Sequence, residues 1–133
     1  MFKNTIYCRV RYAETDRMGY AYYGNYATYF EVARVEALRT LGITYKSLED
    51  EGVLLPVVEY NVRFLLPAYY DDELTIETVI SEMPSARIRF EYETKRGDTV
   101  LNKAWTILVF VDKQSGRPIR CPHDVADALK KYF

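Results

Sequence analysis

Apolar and polar side chains alternate along the chain in four segments, and this period of two predicts β-strands. The first covers residues 6–12, with one face formed by Ile6, Cys8, Val10 and Tyr12. The others cover residues 58–64, 74–80 and 87–94. A fifth strand is predicted over 101–111, which ends in an unbroken apolar run. Such a run is typical of a strand that is covered on both faces.

A different period occupies residues 26–41, where apolar side chains recur every three or four positions and predict an α-helix. Asn25 is the expected N-cap of this helix, and Gly42 is the expected residue just past its end. Further apolar residues lie off the main stripe, so we expect the helix to be buried nearly all round. Short helices are also predicted over 44–51 and 122–133.

The order of these elements is a strand, a long helix and then four more strands, which predicts an α+β architecture. Short connectors between the later strands favour an antiparallel meander, because parallel strands need long crossovers. The sheet has one apolar face to bury, and the helix needs burial on every side. Both surfaces are buried if the sheet wraps around the helix. No Pro-, Gly- or Ser-rich linker divides the chain, so we interpret residues 1–133 as a single domain.

Charge and composition exclude several classes of protein. The chain has 18 Lys and Arg against 19 Asp and Glu, a net charge of −1, and lacks the basic balance of a nucleic-acid binder. No apolar stretch approaches the roughly 20 residues of a membrane span. The first residues lack the apolar core of a signal peptide, so we expect a cytoplasmic protein. Cys8 and Cys121 are far apart and are expected to be reduced.

The inventory of reactive side chains points to carboxylates. There is no G-x-S-x-G motif, and the only histidine, His123, follows Pro122 near the C-terminus. Neither a Ser-His-Asp triad nor a metal centre fits this inventory. Asp16 lies just before the long helix, whose free amides and positive dipole end can polarise a carbonyl group. An Asp before a helix is also a common loop or capping residue, so the spacing alone leaves both roles open.

Three stretches carry a resemblance to a known family: residues 11–19 (RYAETDRMG), 22–26 (YYGNY) and 62–68 (VRFLLPA). They resemble the hotdog-fold acyl-CoA thioesterases of the 4-hydroxybenzoyl-CoA thioesterase family, and are similar also to the Tol-Pal-associated acyl-CoA thioesterase group. The resemblance implies an antiparallel five-stranded sheet wrapped around one long central helix, plus a short C-terminal helix. It also implies hydrolysis of an acyl-CoA to a free carboxylic acid and coenzyme A.

The resemblance implies catalytic roles for particular residues. It places the catalytic Asp of the family at Asp16, as nucleophile or general base, and the donor to the thioester oxygen at the backbone amide of Tyr23. The Tol-Pal-associated branch usually carries His at that second position, so His-assisted chemistry is not expected here. Tyr12 occupies the position of an assisting tyrosine, or is a core strand residue. Glu14 is a weaker candidate or an exposed loop carboxylate. Another branch of the hotdog fold carries its catalytic carboxylate on the long helix, so Glu31 is an alternative catalytic residue. Otherwise Glu31 is a structural partner of Arg34.

Substrate binding is expected around the start of the helix, at Gly24, Asn25 and Tyr26. The phosphates of coenzyme A are expected to contact basic side chains, with Arg87 and Arg89 as the chosen pair. Many relatives carry Arg or Lys where this chain has Tyr69. In this chain, basic residues at other positions must therefore contact the phosphates. The further basic candidates are Lys95, Arg96 and Arg117.

The resemblance also sets expectations for partners. No cofactor or metal is needed, because coenzyme A is part of the substrate. The family forms homodimers or homotetramers with active sites at subunit interfaces. Six of the 13 tyrosines lie between residues 12 and 29, so this stretch is predicted to line a cleft shared between subunits. The alternative function is a non-catalytic module that binds an acyl-CoA or an acyl-carrier protein. A dehydratase-like variant ranks lower, because it needs a histidine at the pocket.

Overall fold

The computed structural model describes residues 1–133 and contains seven strands and three α-helices. The strands are β1 (Phe2–Arg9), β2 (Val53–Leu54), β3 (Val57–Phe64), β4 (Glu73–Ile80), β5 (Arg87–Arg96), β6 (Thr99–Val109) and β7 (Val111–Asp112). The helices are α1 (Asn25–Thr40), α2 (Tyr45–Asp50) and α3 (His123–Leu129), with 3-10 turns at Tyr12–Glu14 and Lys130–Tyr132.

Five strands form one antiparallel sheet in the order β1–β4–β5–β6–β3, and β2 pairs separately with β7. The inner face of the sheet packs on α1, which lies chiefly against β1 and β4. Phe30, Ala33 and Ala37 on the helix are fully buried, as are Leu74 and Ile76 on β4. The predicted sheet around a long helix is therefore confirmed, together with the short C-terminal helix that begins at His123.

The predicted meander is confirmed only in part. Strands β4, β5 and β6 follow one another across the sheet, but β3 pairs with β6 at the far edge and not with β4. The reason lies in residues 65–72, which are too long for a tight hairpin. The amides of Leu65 and Leu66 both bind the carbonyl of Leu101, and the chain then turns towards the loop that precedes α1.

The start and the outer face of α1 also differ from expectation. Gly24, and not Asn25, is the N-cap, and the Asn25 amide nitrogen instead donates to the Glu14 carbonyl at 2.7 Å. The helix is not buried all round, because Val32 is 47% exposed. The predicted end at Gly42 is confirmed by its φ of +81°, and Thr44 caps α2 as predicted.

Two strand predictions need correction. The first strand ends at Arg9, because the backbone of Val10 bonds to Asp71 and Asp72 in a neighbouring loop. Tyr12 therefore leaves the sheet for a 3-10 turn, where it is 77% exposed. Strand β6 is not covered on both faces. Its outward residue Trp105 is only half-buried, and lies beneath the Arg89 guanidinium at 4.6 Å.

None of the helices combines the length and apolar character needed to cross a membrane.

Candidate active site

Asp16 sits in a tight loop between the first 3-10 turn and α1. Its Oδ1 accepts hydrogen bonds from the amides of Met18 at 2.9 Å and Tyr20 at 3.1 Å, and its own amide donates to the Tyr20 carbonyl at 2.8 Å. Gly19 closes this turn with a φ of +83°, a conformation that disfavours other residues. Asp16 Oδ2 makes no hydrogen bond within the chain, so one carboxylate oxygen is fixed and the other is free.

The loop is held on its far side by the segment that follows β3. The Ala21 amide donates to the Ala68 carbonyl at 2.7 Å. Tyr20 and Tyr69 form an isolated antiparallel bridge, and their rings pack edge to face at 5.7 Å. Residues 65–68 were noted for their family resemblance, and the predicted role of 65–72 was that of a connector. In the structure their backbone fixes the position of the loop that carries Asp16.

The start of α1 supplies unpaired donors next to this loop. The amides of Tyr23 and Gly24 donate to no acceptor within the chain. They lie at the positive end of a 16-residue helix, where an electron-rich oxygen is stabilised. A Cβ on Gly24 would lie 2.6 Å from Cε2 of Tyr22, so a larger residue there would displace this exposed ring.

Asp16 and Tyr23 line the same cavity, which has a volume of about 220 Å³. Its walls are mostly apolar and also contain Met18, Tyr20, Ala21, Tyr26, Phe64, Leu65, Leu66, Pro67 and Ala68. Burial raises the pKa of Tyr26 to about 12, so its hydroxyl stays protonated at neutral pH. The cavity thus combines a free carboxylate oxygen, a helix start and an apolar wall.

The structure brings together some predicted site residues and separates others. Asp16, Tyr23 and Tyr26 share the cavity, and Gly24 adjoins it as the N-cap. Asn25 follows directly, but its side chain is turned towards Glu14. Tyr12 does not line the cavity, and its ring packs against Tyr70 at 4.8 Å.

Arg87 and Arg89 lie at the opposite end of the sheet from Asp16 within one chain. The cavity wall at Phe64 pairs with Asn102, which pairs with Thr94 on β5. Arg87 is seven residues before Thr94 on the same strand, about 23 Å away at roughly 3.3 Å per residue. A single chain therefore does not bring these arginines to the cavity.

Among the other basic candidates, Arg96 is fixed closest to the cavity. It donates to the carbonyl of Pro67, a lining residue, at 3.1 Å and to Asp72 Oδ2 at 2.7 Å. Lys95 lies 3.5 Å from Glu93 in a surface ion pair. His123 begins α3, as its position after Pro122 indicated. The chain has no group of three or more His, Cys, Asp or Glu side chains placed to hold a metal ion.

The contacts of Glu14, which lies beside the candidate site, were not predicted from the sequence. The expected exposed carboxylate is 9% exposed and accepts a hydrogen bond from the Tyr29 hydroxyl at 2.9 Å. No local pattern revealed this contact, because the two residues meet only after the loop folds back on the helix. The apolar run Leu65-Leu66 was visible in the sequence, and its lack of strand alternation was the available signal for a wall outside the sheet.

Comparison with known proteins identifies the family to which the chain belongs. A family model described as the thioesterase-like superfamily matches residues 10–129. The acyl-CoA thioesterase YbgC of Haemophilus influenzae is 37% identical over 122 residues, which cover 91% of this chain and 90% of that protein. The DHNA-CoA thioesterase of Staphylococcus aureus superposes with a TM-score of 0.86 at 31% identity, covering 100% of this chain and 85% of that one.

A third similar protein has been solved with a bound coenzyme A thioester. The structure of a 4-hydroxybenzoyl-CoA thioesterase in which one Asp is replaced by Asn, complexed with 4-hydroxybenzoyl-CoA, has a TM-score of 0.87. It is 25% identical, with 96% of this chain and 99% of that chain covered. The fold and these relatives define a hotdog-fold thioester hydrolase. The chain belongs to the thioesterase-like superfamily.

Proposed function

We propose that this protein hydrolyses an acyl-CoA thioester with Asp16 as the reacting carboxylate. One observation carries the proposal: the free Oδ2 of Asp16 and the unpaired amide of Tyr23 belong to residues that line the same cavity. A thioester carbonyl whose oxygen meets the Tyr23 amide gains a donor for the charge that develops during attack. Gly24 and Tyr26 would contact the substrate at the same place.

The reaction consumes one water and yields a carboxylic acid and the thiol of coenzyme A. If Asp16 is the nucleophile, its Oδ2 bonds to the thioester carbon and the C–S bond breaks. The thiolate then takes up a proton, and water hydrolyses the resulting anhydride. If Asp16 is the general base, it takes a proton from the attacking water and the proton passes to the leaving sulfur. Both routes use the same donor at Tyr23.

The acyl group is proposed to be aromatic. Four of the residues that line the cavity of about 220 Å³ are aromatic: Tyr20, Tyr23, Tyr26 and Phe64. Its aromatic walls suit a ring such as the one in 4-hydroxybenzoyl-CoA, the molecule bound to the structural relative. No cofactor takes part, since coenzyme A arrives with the substrate, and we place the reaction in the cytoplasm.

The active protein is proposed to be a dimer joined along β3. This strand is an unpaired edge of the sheet, with Val58 49% and Tyr60 43% exposed. A two-fold axis that pairs β3 antiparallel with its copy reverses the strand direction. It thereby brings the Arg87 and Arg89 end of one chain towards the Asp16 end of the other. This arrangement supports the use of these arginines for the coenzyme A phosphates.

The alternative, a binding module, would use Asp16 only to shape its loop, since Oδ1 already accepts two backbone amides. Thiol release from a panel of acyl-CoAs, measured alongside equilibrium binding, separates the two functions. The enzyme is expected to release thiol, and Asp16→Asn is expected to keep binding while its kcat falls by about 10²–10⁴-fold.

The matched control is Asp112→Asn, because Asp112 accepts the Ser115 amide at 3.1 Å in a similar turn outside the cavity. This variant should retain full activity. Binding without turnover in the wild type would establish the binding module and end the enzyme proposal. Full activity in Asp16→Asn would remove Asp16 from the mechanism.

A further inference from the structure

We propose that Glu14 is a positioning residue that holds the Asp16 loop against the start of α1. The proposal rests on the catalytic role proposed for Asp16, because it concerns the geometry in which that carboxylate meets a thioester. Glu14 does not line the cavity, so it would act through the groups around it.

Both carboxylate oxygens of Glu14 are occupied by donors from the protein. Oε1 accepts from the Arg11 amide at 2.8 Å and from the Tyr29 hydroxyl at 2.9 Å. Oε2 accepts from Arg11 Nε at 3.1 Å and Arg11 Nη2 at 2.8 Å. Four donors use the full accepting capacity of a carboxylate. Glu14 therefore has no lone pair left for a substrate or a water, which separates its role from that of Asp16.

The environment keeps this carboxylate ionised. Burial alone would raise the pKa of Glu14, but the hydrogen bonds from Arg11 and Tyr29 outweigh burial and lower the pKa below its ordinary value of 4.5. Burial and the bond to Glu14 raise the pKa of the Tyr29 phenol, so Tyr29 remains a donor. The contact between the loop and the helix is thus a charge-assisted hydrogen bond at neutral pH.

The backbone of Glu14 holds the same junction from its other side. Its carbonyl accepts from the Tyr22 amide at 2.8 Å and from Asn25 Nδ2 at 2.7 Å. Tyr22 directly precedes Tyr23, a lining residue with an unpaired amide, and Asp16 follows Glu14 by two residues. Glu14 therefore bonds to the chain next to both residues that are proposed to act on the thioester.

The expected consequence is kinetic. A displacement of about 1 Å between reacting groups can cost about a hundredfold in rate. If Glu14 only stabilised the fold, its replacement would lower the thermal midpoint while the folded enzyme kept its kcat. If Glu14 positions the loop, kcat falls in protein that remains folded, whereas the KM stays close to that of the wild type.

The test uses Glu14→Gln and Tyr29→Phe in the full chain, assayed for thiol release well below their thermal midpoints. Gln keeps the shape but loses the charge and places a donor against the Arg11 guanidinium. We expect kcat to fall by about 10–100-fold in Glu14→Gln and by about tenfold in Tyr29→Phe, with KM within about threefold. The matched control is Glu73→Gln, which removes the charge from a surface pair with Arg9 outside the cavity.

Amide hydrogen exchange supplies a readout that does not depend on activity. The amides of Tyr20 and Tyr22 are bonded within this loop, so they should exchange faster in both variants. A wild-type kcat in folded Glu14→Gln, or unchanged exchange at these amides, would overturn the proposal. If Glu14→Gln does not fold, Tyr29→Phe decides by the same criteria. Full activity of Asp16→Asn would instead contradict the proposed function, while the exchange result would still report on Glu14.

Discussion

The two edge strands of the sheet differ in how far the chain covers them. The inner face of β1 lies under α1, and its outward residues include Lys3 and Arg9, which discourage pairing with another strand. Strand β3 is less fully covered, although Tyr60 and Phe64 pack against Phe30 and Tyr26 of α1. Its residues Val58, Tyr60 and Phe64 are 43–49% exposed. The β1 edge is protected by residues of the same chain, whereas the exposed apolar side chains of β3 are typical of an interface.

The same contrast divides the candidate site. The polar groups around Asp16 are fixed by hydrogen bonds within the chain, including those of Glu14. The apolar wall comes from the end of β3 and the residues after it, where Leu65 and Leu66 are 49% and 47% exposed. The chain therefore orders the proposed reacting groups by itself, whereas the apolar wall of the cavity is left open to solvent. A second chain along β3 would close it.

Breaking the β3 edge should have the largest effect. Val58→Lys places an ammonium group where the proposed dimer buries an apolar side chain. We expect the dimer to weaken by about 3 kcal/mol, or about a hundredfold in Kd, because an unpaired charge must lose its water. Sedimentation velocity should show monomers. The matched control is Tyr7→Lys on β1, where the tyrosine is 70% exposed. Dissociation by the control but not by Val58→Lys would reverse the assignment of the two edges.

The next largest effect is expected from removing the charge of Glu14, and it concerns the stability of a single chain. Glu14→Gln is expected to lower the free energy of unfolding by about 2 kcal/mol at pH 7. Since the folded pKa of Glu14 lies below its unfolded value, its contribution is complete above about pH 4.5 and is lost as the pH falls through the folded pKa. Urea titrations of both proteins from pH 7 to pH 3 should converge at the acid end. A difference that stays constant to pH 3 would show that ionisation of Glu14 does not matter.

A smaller effect is expected at the turn that shapes the Asp16 loop. Gly19→Ala forces a side chain into a φ of +83°, although nothing lies within 4 Å of the added Cβ. The loss should be about 1 kcal/mol and should come from the backbone alone. Chemical denaturation measures it, with Gly19→Asn as the control because Asn tolerates this conformation better. Equal losses for Ala and Asn would argue against backbone strain as the cause.

The smallest effect is expected at the β1 edge. Glu73 accepts from Arg9 at 3.0 Å, but both side chains are more than half exposed. Glu73→Gln should change the unfolding free energy by less than about 0.5 kcal/mol, because solvent screens such pairs. High salt should remove even this difference. A loss comparable to that of Glu14→Gln would mean that the β1 edge depends on its ion pair.

Much of the fold could be predicted from local periodicity, and the exceptions are non-local. The alternating segments predicted the bounds of β3, β4 and β5 within one or two residues. They did not predict the partner of β3, because the pairing with β6 depends on how residues 65–72 leave the sheet. The expected cap at Asn25 failed for a similar reason. Its side chain bonds to Glu14, a contact made only once the loop has folded back.

The candidate site shows the same limit. Asp16 and Tyr23 were predicted from the family resemblance, and the structure places both at one cavity. Periodicity placed Tyr12 on a strand, because an alternating pattern does not show where the ladder of hydrogen bonds stops. Arg87 and Arg89 were chosen by charge alone. Their distance from Asp16 within the chain follows from strand direction, which composition does not encode.

We infer that one chain carries the proposed reacting groups and that a second chain completes the site along β3. The most direct test is the rate of thiol release per chain for wild type and Val58→Lys, with the mass measured in the same samples. We predict that the wild type is a dimer, and that the monomeric variant keeps its fold but releases thiol more than about tenfold more slowly. A folded monomer that matches the wild-type rate per chain would contradict the claim.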